Sequence, residues 1–183
     1  MCEPSRRIRP ENTRRSASKS LHLQQLRRAG LVTTRREGKY VLYELADEEI
    51  VTLVSSLQRV AERNLAEVQQ ILNLYFHQRD SLEPVASKEL MQRLHEGAVI
   101  LLDVRPGDEF AQGHLPGAIN IPLTDLEENV KTLPRNREII AYCRGPFCLL
   151  SFEAVARLRD RGLAARRLET GFPEWKVAGL PVE

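Results

Sequence analysis

Residues 139–150 read IIAYCRGPFCLL, and this stretch decides how the second half of the chain folds. Its first four residues form a short apolar run after two charged residues, which is typical of a strand buried on both faces of a parallel sheet. The apolar spacing over 149–161, closed by Gly162, predicts an amphipathic helix. Residues 143–148 therefore connect a buried strand directly to a helix.

The sequence on either side of this stretch alternates between strand and helix signals. This alternation predicts an α/β domain with a parallel sheet and helices on both faces. The predicted helices cover 87–96, 124–132 and 149–161, and the predicted strands cover 99–104, 139–142 and 165–168. A loop rich in Gly and Pro follows the first of these strands, and a final segment surrounds Trp175.

The loop 143–148 contains the residue that we predict to be the nucleophile, Cys143. Backbone N–H groups and the helix dipole place partial positive charge at such a corner and favour a thiolate. Arg144 adds a full charge, Gly145 allows close backbone approach, and Pro146 stiffens the loop. The alternative is a buried, unreactive thiol, because free cysteine is among the most buried residue types.

Cys148 opens the helix, five residues after Cys143. It is either a resolving thiol that forms a disulfide with Cys143 or a small packing residue. A zinc site needs about four ligands, and two cysteines at this spacing do not supply them. We therefore expect neither a metal nor another cofactor. Three cysteines in the whole chain are too few for a disulfide-built secreted scaffold.

The composition is typical of a globular protein without a membrane-spanning helix. Of the 183 residues, 42% are apolar and 28% are charged. The longest apolar runs, such as 99–102, are far shorter than the ~18 residues that a membrane helix needs. No apolar segment typical of a signal peptide follows the basic N-terminus. We therefore expect a cytoplasmic protein.

Charge is unevenly distributed along the chain. Residues 1–40 contain eleven Lys/Arg and three Asp/Glu, a net charge of +8, whereas 41–183 contain sixteen and twenty-two, a net charge of −6. A basic block of this kind is either the footprint of a nucleic-acid site or a solvated tail. The two parts of the chain should therefore have different partners.

The N-terminal part is predicted to contain a tail, a helix and a hairpin. Residues 1–15 have almost no apolar side chains and are expected to form a disordered basic tail. Apolar spacing from Ser16 to Gly30 predicts one short helix. Strands at 31–34 and 40–45 enclose a basic turn, in which Gly38 can supply the positive φ of a tight hairpin.

A long helix is predicted over residues 47–77, with Asp47 as its N-cap. A polar linker is expected to follow at 80–87. The helix carries a heptad pattern, so it either forms a homodimer with a second copy or lies on its own domain. Asn64 is the one polar member of a seam otherwise made of Ile50, Val54, Leu57, Ala61, Val68, Ile71 and Tyr75.

Four segments of the second half resemble the rhodanese (sulfurtransferase) family. They are the Asp-Val-Arg sequence at 103–105, EFAQGHLPGAINIP at 109–122, the Cys143 loop, and GFPEW at 171–175. The resemblance implies a rhodanese-like domain over 88–183 that moves sulfur through a persulfide on Cys143. A sulfane donor such as thiosulfate would supply the sulfur, and a thiol or cyanide would accept it.

The resemblance also implies roles for neighbouring residues. Arg144 would favour anionic donors, and the loop that holds the persulfide would consist of Arg144, Gly145, Pro146, Phe147 and Cys148. The supporting residues would be Asp103, Arg105, Glu109 and His114. We expect an Arg105–Glu109 ion pair and a His114 hydrogen bond that organises the turn 113–117; simple surface pairing is the alternative. Phosphatases of this fold carry an arginine six residues after the nucleophile, where this chain has Leu149.

Residues 20–32, SLHLQQLRRAGLV, together with 35–43 and the long helix, resemble winged helix-turn-helix regulators of the ArsR type. The resemblance implies a partial winged-helix segment over 16–79, binding double-stranded DNA as a homodimer, with Leu23, Leu26 and Leu31 in its core. The rhodanese-like domain would then sense reactive sulfur or redox state for a transcriptional regulator. The implied DNA contacts are Lys19, Ser20, His22, Gln24, Gln25, Arg27, Arg28, Arg35, Arg36 and Lys39.

Overall fold

The structure is a computed structural model that describes residues 13–67, 70 and 84–183, with side chains described from residue 21 onward. Several predictions lie outside the described residues: most of the tail, the side chains of Lys19 and Ser20, the end of the long helix, and linker residues 80–83. The chain divides into two compact units, residues 1–50 and 51–183. Within the described residues, no helix is both long and apolar enough to cross a membrane.

The first helix, α1 (Thr13–Arg28), begins three residues before the predicted start at Ser16. Arginine is a good helix former, so the polar residues ahead of Ser16 extend the helix. Gly30, at a φ of +74°, ends it as predicted. The N–H of Leu31 then donates to the carbonyl of Leu26 at 2.9 Å.

The hairpin consists of β1 (Val32–Glu37) and β2 (Tyr40–Leu45), which pair in antiparallel register. Glu37 pairs with Tyr40, so only Gly38 and Lys39 form the turn. Gly38 has a φ of +57°, which permits this two-residue connection. The strand therefore extends farther than predicted and includes Arg35 and Arg36, which the sequence placed in the turn.

The second helix, α2 (Glu49–Asn64), begins as predicted, because the Asp47 carboxylate accepts the N–H of Glu49 at 2.7 Å. The predicted unbroken helix to residue 77 is wrong at Leu65, which is not helical. The Asn64 side chain donates to the carbonyl of Val60 at 2.7 Å and so competes with the backbone pattern. The apolar face of this helix is exposed at Leu53, Val54, Leu57 and Val60.

The domain from residue 84 onward is built on a four-stranded parallel sheet. The strand order is β4-β3-β5-β6, and the bounds are β3 Val99–Asp103, β4 Ile119–Asn120, β5 Glu138–Tyr142 and β6 Ala165–Arg167. The helices are α3 Ser87–His95, α4 Gly107–Phe110, α5 Leu126–Asn129 followed by a 3₁₀ turn Val130–Thr132, α6 Leu149–Asp160, and α7 Phe172–Val177.

Both faces of this sheet are covered, which confirms the predicted fold class. Alternate strand residues point to opposite faces. Ile100 and Leu102 belong to one hydrophobic cluster, together with Val155 of α6. Leu101 and Ile140 belong to the other, together with residues of α3 and α7. Residues 99–102 of β3 and 139–141 of β5 are apolar because both faces of these strands are buried.

Two features of the sheet position the cysteine loop and the residues around it. Asp103 and Tyr142, the last residues of β3 and β5, are paired, so the loops that follow these strands leave the sheet at the same edge. Beside β6, Val85 forms a parallel bridge with Leu168. The N–H of Val85 donates to the carbonyl of Arg167 at 2.8 Å, and Val85 accepts the N–H of Glu169 at 2.9 Å.

Candidate active site

Cys143 lies directly after β5 at the carboxyl edge of the sheet. Cys143 is 1% exposed and packs in the hydrophobic cluster that includes Val155 of α6. Its carbonyl accepts the N–H of Phe172 at 3.0 Å, which ties the start of the loop to α7. The predicted strand-to-helix corner is therefore present, with the sulfur-bearing residue at its base.

Cys143 forms a disulfide with Cys148, and the two Cα atoms are 6.2 Å apart. Of the two alternatives for Cys148, the structure shows the disulfide. Cys148 is half-buried and is the N-cap residue of α6. Its N–H donates to the carbonyl of Gly145 at 3.1 Å, and its carbonyl accepts the hydroxyl of Ser151 at 2.9 Å. Both ends of the loop are thus fixed.

The loop is supported from behind by Gly171, the N-cap residue of α7. A Cβ atom at Gly171 would lie 2.1 Å from the nitrogen of Gly145 and 2.4 Å from the carbonyl carbon of Arg144. Only a glycine fits at such a distance. The absence of a side chain at Gly171 therefore allows the backbone of α7 to approach Gly145 closely. Glu174 holds this segment by accepting the N–H of Gly171 at 3.0 Å.

Arg144 points at a carboxylate of α4. Its Nε lies 2.9 and 3.1 Å from the two carboxylate oxygens of Glu109, and its Nη2 also donates to Oε1. This hydrogen bond raises the pKa of Arg144. The predicted Arg105–Glu109 ion pair is wrong, because Glu109 pairs with Arg144 across the loop. The charge that was predicted to attract anionic donors is therefore largely balanced by Glu109.

Arg105 pairs with Asp103 inside the protein, where the two residues are 3% and 0% exposed. Arg105 Nη2 lies 2.6 Å from Asp103 Oδ2, and Nε lies 3.0 Å from both carboxylate oxygens. Burial by itself lowers the pKa of Arg105, but the hydrogen bond and charge of Asp103 raise it. Arg105 also donates to the carbonyl of Gly113 at 2.8 Å and lies over the ring of Phe172. The pair thus joins β3, the 113–117 turn and α7.

Tyr142, which was predicted only as a strand residue, belongs to this buried network. Its hydroxyl accepts the N–H of Leu115 at 3.1 Å. Burial raises the pKa of Tyr142, and the neighbouring Asp103 raises it further, so the phenol is neutral. Asn120 donates to the carbonyls of Asp103 and Arg105 at 3.1 and 3.0 Å. These contacts fix the floor beneath the cysteine loop.

The side chain of His114, for which a hydrogen bond organising the turn 113–117 was predicted, contacts Phe110 of α4. Its Nδ1 lies 3.2 Å from the carbonyl of Phe110, and its ring stacks on the ring of Phe110 with centroids 3.7 Å apart. The backbone of His114 exchanges hydrogen bonds of 2.8 and 2.9 Å with Glu183. His114 therefore joins the turn to α4 and to residue 183.

Arg167 of β6, which was not among the predicted site residues, also supports the loop. Its Nη1 donates to the carbonyl of Pro146 at 3.3 Å, and its guanidinium lies 3.5 Å from the ring centroid of Phe152 on α6. The residue is buried although it is charged. An arginine inside a predicted buried strand is the signal that could have revealed it, because a buried charge needs a specific partner.

The predicted DNA contacts with described side chains are exposed: His22, Gln24, Gln25, Arg27, Arg28, Arg35, Arg36 and Lys39. Arg35 differs from the others because it pairs with Glu44 at 3.2 Å. The predicted core of this segment is not buried, since Leu23 and Leu31 are partly exposed and Leu26 is exposed. In the part of the chain that the structure describes, no cluster of three or more His, Cys, Asp or Glu could hold a metal.

Comparison with known proteins identifies the family of this domain. The sequence model of the rhodanese-like domain family matches residues 86–178 of this chain. An HTH-type transcriptional regulator of Mycobacterium tuberculosis, Rv0324, is 40% identical over 164 residues, which cover 90% of this chain and 72% of the relative. The human thiosulfate:glutathione sulfurtransferase is 42% identical over 104 residues, covering 50% of this chain and 90% of the relative.

Among solved structures, a rhodanese-related protein from Thermoplasma volcanium superposes with a TM-score of 0.51 and 29% identity. The similarity covers 56% of this chain and 98% of that protein. The matched family segment contains the parallel sheet, the cysteine loop and the buried Asp103–Arg105 pair. The chain belongs to the rhodanese-like domain family.

Proposed function

We propose that the chain is a sulfurtransferase in which Cys143 carries the transferred sulfur. The reduced Cys143 thiolate attacks the sulfane sulfur of a donor such as thiosulfate and displaces sulfite. The resulting persulfide then passes its outer sulfur to a thiol or to cyanide, and no cofactor takes part. The observation that carries this proposal is the position of Cys143 between the end of β5 and the N-terminus of α6.

The surroundings of the loop suit an anionic persulfide. The N-terminus of α6 places partial positive charge beside the loop, which favours a negative charge on the outer sulfur. Leu149 occupies the position where a phosphatase of this fold needs an arginine, which favours sulfur over phosphoryl transfer. The similarity to a thiosulfate:glutathione sulfurtransferase supports thiosulfate as donor and a small thiol as acceptor.

Thiocyanate formation from thiosulfate and cyanide by the reduced protein tests this function. We expect turnover in the wild type, no turnover in Cys143→Ser, and full turnover in Cys2→Ser. Cys2→Ser is the matched control because it also removes one thiol. Turnover that survives in Cys143→Ser, or a wild type that forms no thiocyanate with any sulfane donor, would remove the proposal.

A second function, DNA binding by a transcriptional regulator, is favoured by the similarity of 90% of the chain to an HTH-type regulator. On this proposal residues 16–79 form a partial ArsR-type winged helix-turn-helix after a basic tail at 1–15, and a linker at 80–87 leads to the rhodanese-like domain at 88–183. The exposed basic residues of α1 and the hairpin would contact DNA. Sulfur loading of Cys143, or its disulfide with Cys148, would then signal the presence of reactive sulfur to the DNA-binding segment. Both proposed functions belong in the cytoplasm.

The regulator proposal includes a homodimer formed through α2. Leu53, Val54, Leu57 and Val60 leave an apolar face of this helix exposed, and Leu57 is 66% exposed. An apolar stripe of this kind is usually covered by another surface. A second copy of the same helix offers a matching stripe, so an isologous dimer would bury both.

Retention on double-stranded DNA, measured at several salt concentrations, tests the regulator function. We expect affinity to fall steeply with salt and to change after treatment with a sulfane donor. Arg36→Ala combined with Lys39→Ala should weaken binding about tenfold or more, since each lysine or arginine on a phosphate contributes to the salt slope. Arg137→Ala, which removes an exposed charge from the other unit, is the control. Equal binding by all of these proteins would contradict the proposal.

A further inference from the structure

Two cysteines, not one, lie within bonding distance at the base of the loop. The Cα atoms of Cys143 and Cys148 are 6.2 Å apart, inside the range that allows a disulfide without backbone movement. Hydrogen bonds hold Cys148 in place from both sides, through Gly145 before it and Ser151 after it. The Cys148 sulfur can therefore reach the Cys143 sulfur in the folded protein.

The two sulfurs differ in their surroundings. Cys143 is 1% exposed, whereas Cys148 is half-buried at the N-terminus of the twelve-residue helix α6. The positive end of a helix dipole favours a negative charge on a thiol at this position. Cys148 is thus both a competent nucleophile toward Cys143 and the sulfur that external thiols reach more easily.

We infer that Cys148 is a second catalytic thiol, which discharges the Cys143 persulfide and releases hydrogen sulfide. This inference rests on the proposed persulfide on Cys143. The Cys148 sulfur attacks the inner sulfur, Sγ of Cys143. A bond forms between the two Sγ atoms, and the bond between Cys143 Sγ and the outer sulfur breaks.

The electrons and protons of this step balance within the protein. The bonding pair leaves with the outer sulfur, which takes the Cys148 proton and departs as HS⁻. The sulfane sulfur is reduced by two electrons, and the two cysteine thiols are oxidised to the observed disulfide. Two molecules of a low-molecular-weight thiol then reduce the disulfide, and the first attacks at the more accessible Cys148.

This step makes the fate of the sulfur depend on the acceptor. An abundant acceptor thiol takes the outer sulfur before Cys148 reacts, and the chain turns over as a transferase. Without an acceptor, each chain releases one sulfide and stops as the disulfide, in which Cys143 can no longer be loaded. The disulfide form is therefore an oxidised, inactive form of the same site.

The test starts from fully reduced full-length protein in a Cys2→Ser background, treated with a sulfane donor and then freed from it. Released sulfide and intact mass are followed over time. We expect the parent to release about one sulfide per chain and to end about 2 Da lighter than the reduced protein. Cys148→Ser should release no sulfide and keep an adduct of about 32 Da, one sulfur atom. Serine is a favourable N-cap residue, so this variant should keep α6.

The outcomes separate this inference from the proposed function. If neither protein gains a sulfur atom, the persulfide on Cys143 does not form and the proposed function fails. If the parent keeps its adduct as long as Cys148→Ser does, the persulfide stands and the role of Cys148 is wrong. An adduct that moves to Cys148 without sulfide release, located by peptide mapping, would also overturn the role, because Cys148 would then have attacked the outer sulfur.

Discussion

The two parts of this chain differ in where their apolar side chains lie. From residue 84 onward, both faces of the sheet are buried, and Leu101, Leu102, Ile139 and Ile140 are almost fully inaccessible. Between residues 21 and 67, none of the described residues is buried. Full burial of such a side chain stabilises a fold by about 1.5–3 kcal/mol. The rhodanese-like domain therefore has a core of its own, whereas apolar side chains of the N-terminal segment remain exposed.

The charged residues of the two parts show the same contrast. Asp103 and Arg105 form a pair that is almost completely buried. Arg35 and Glu44 form a pair at 3.2 Å on the hairpin with more than half of each side chain exposed. A buried pair must stay intact because either member alone is a buried, unpaired charge, whereas an exposed pair is screened by water.

Replacement of Asp103 by alanine should destabilise the domain by about 3–5 kcal/mol, because Arg105 would remain buried without its partner. Trp175 is the only tryptophan in the chain and is buried in the domain, so its fluorescence during urea unfolding reports on this part. Glu44→Ala is the comparison in the hairpin and should not shift the Trp175 transition. Equal shifts from both variants would show that burial does not distinguish the two pairs.

Gly171→Ala should destabilise the domain by about 1–3 kcal/mol, because the new methyl group would overlap the backbone of Gly145. The displaced loop should also lower kcat/KM for sulfur transfer about 10- to 100-fold. Gly107→Ala is the matched control, since its added methyl group meets only Asn120 Oδ1 at 3.6 Å. Normal activity in Gly171→Ala would mean that the loop position does not govern the reaction.

Leu57→Glu tests whether the apolar face of α2 is covered by a second copy. A charge in the middle of this seam should raise the dimer dissociation constant about tenfold or more, measured by sedimentation equilibrium. The Trp175 unfolding transition should stay unchanged. Thr52→Glu places the same charge at another exposed position of α2 and should leave the dimer intact. A wild type that is monomeric at all concentrations would contradict the dimer.

Glu138→Gln should weaken the domain by about 1 kcal/mol at neutral pH, because Glu138 binds Arg166 at 2.9 Å and Arg93 at 2.6 Å. Burial alone raises the pKa of Glu138, but the hydrogen bonds and charges of these two arginines lower it below its ordinary value. A lowered pKa in the folded state means that the stabilisation is complete above the unfolded pKa and is lost as the pH falls through the folded pKa.

The loss of stability below about pH 4.5 should therefore be less steep in Glu138→Gln than in the wild type. Urea midpoints measured with Trp175 from pH 7 down to the acid transition give this slope. Glu44→Gln, on the exposed hairpin, is the control and should keep the wild-type slope. An unchanged acid limb in Glu138→Gln would show that this ion pair does not control the pH dependence.

Glu109→Gln should have the smallest effect, a decrease of about two- to fivefold in KM for thiosulfate, if Cys143 transfers sulfur as proposed. The substitution removes the negative charge that balances Arg144, so a dianionic donor is attracted more strongly. Glu153→Gln is a suitable control because Glu153 also pairs with an arginine, Arg157 on the same helix. An unchanged KM would indicate that the donor does not approach Arg144.

Three of the four strands, their order along the chain and the position of the cysteine loop followed from the sequence, whereas the two-residue strand β4 did not. Strands buried on both faces are short apolar runs, and glycines mark the ends of their helices, so local patterns carry this information. Gly38 also predicted a hairpin turn. The strand boundary at Arg35 and Arg36 did not follow, because a basic stretch resembles a loop when its pairing partner across the turn is unknown.

Contacts between distant parts of the chain did not follow from the sequence. Arg144 and Glu109 are thirty-five residues apart in the sequence. Glu109 pairs with Arg144 and not with Arg105 because of which loops meet at the sheet edge. The contact of Gly171 with Gly145 likewise requires the folded position of α7. The end of α2 at Asn64 was missed because a heptad pattern records apolar positions and ignores side-chain competition for backbone carbonyls.

The bridge between Val85 and Leu168 has a consequence for self-association. An edge strand without a neighbour has unpaired N–H and C=O groups. Strands of other chains can pair with these groups and form an aggregate. Val85 pairs with part of the sheet edge beside β6 through two backbone hydrogen bonds. At the opposite edge of the sheet, β4 is only two residues long. This domain thus presents little template for intermolecular strand addition, so it should tolerate concentration without forming fibrils.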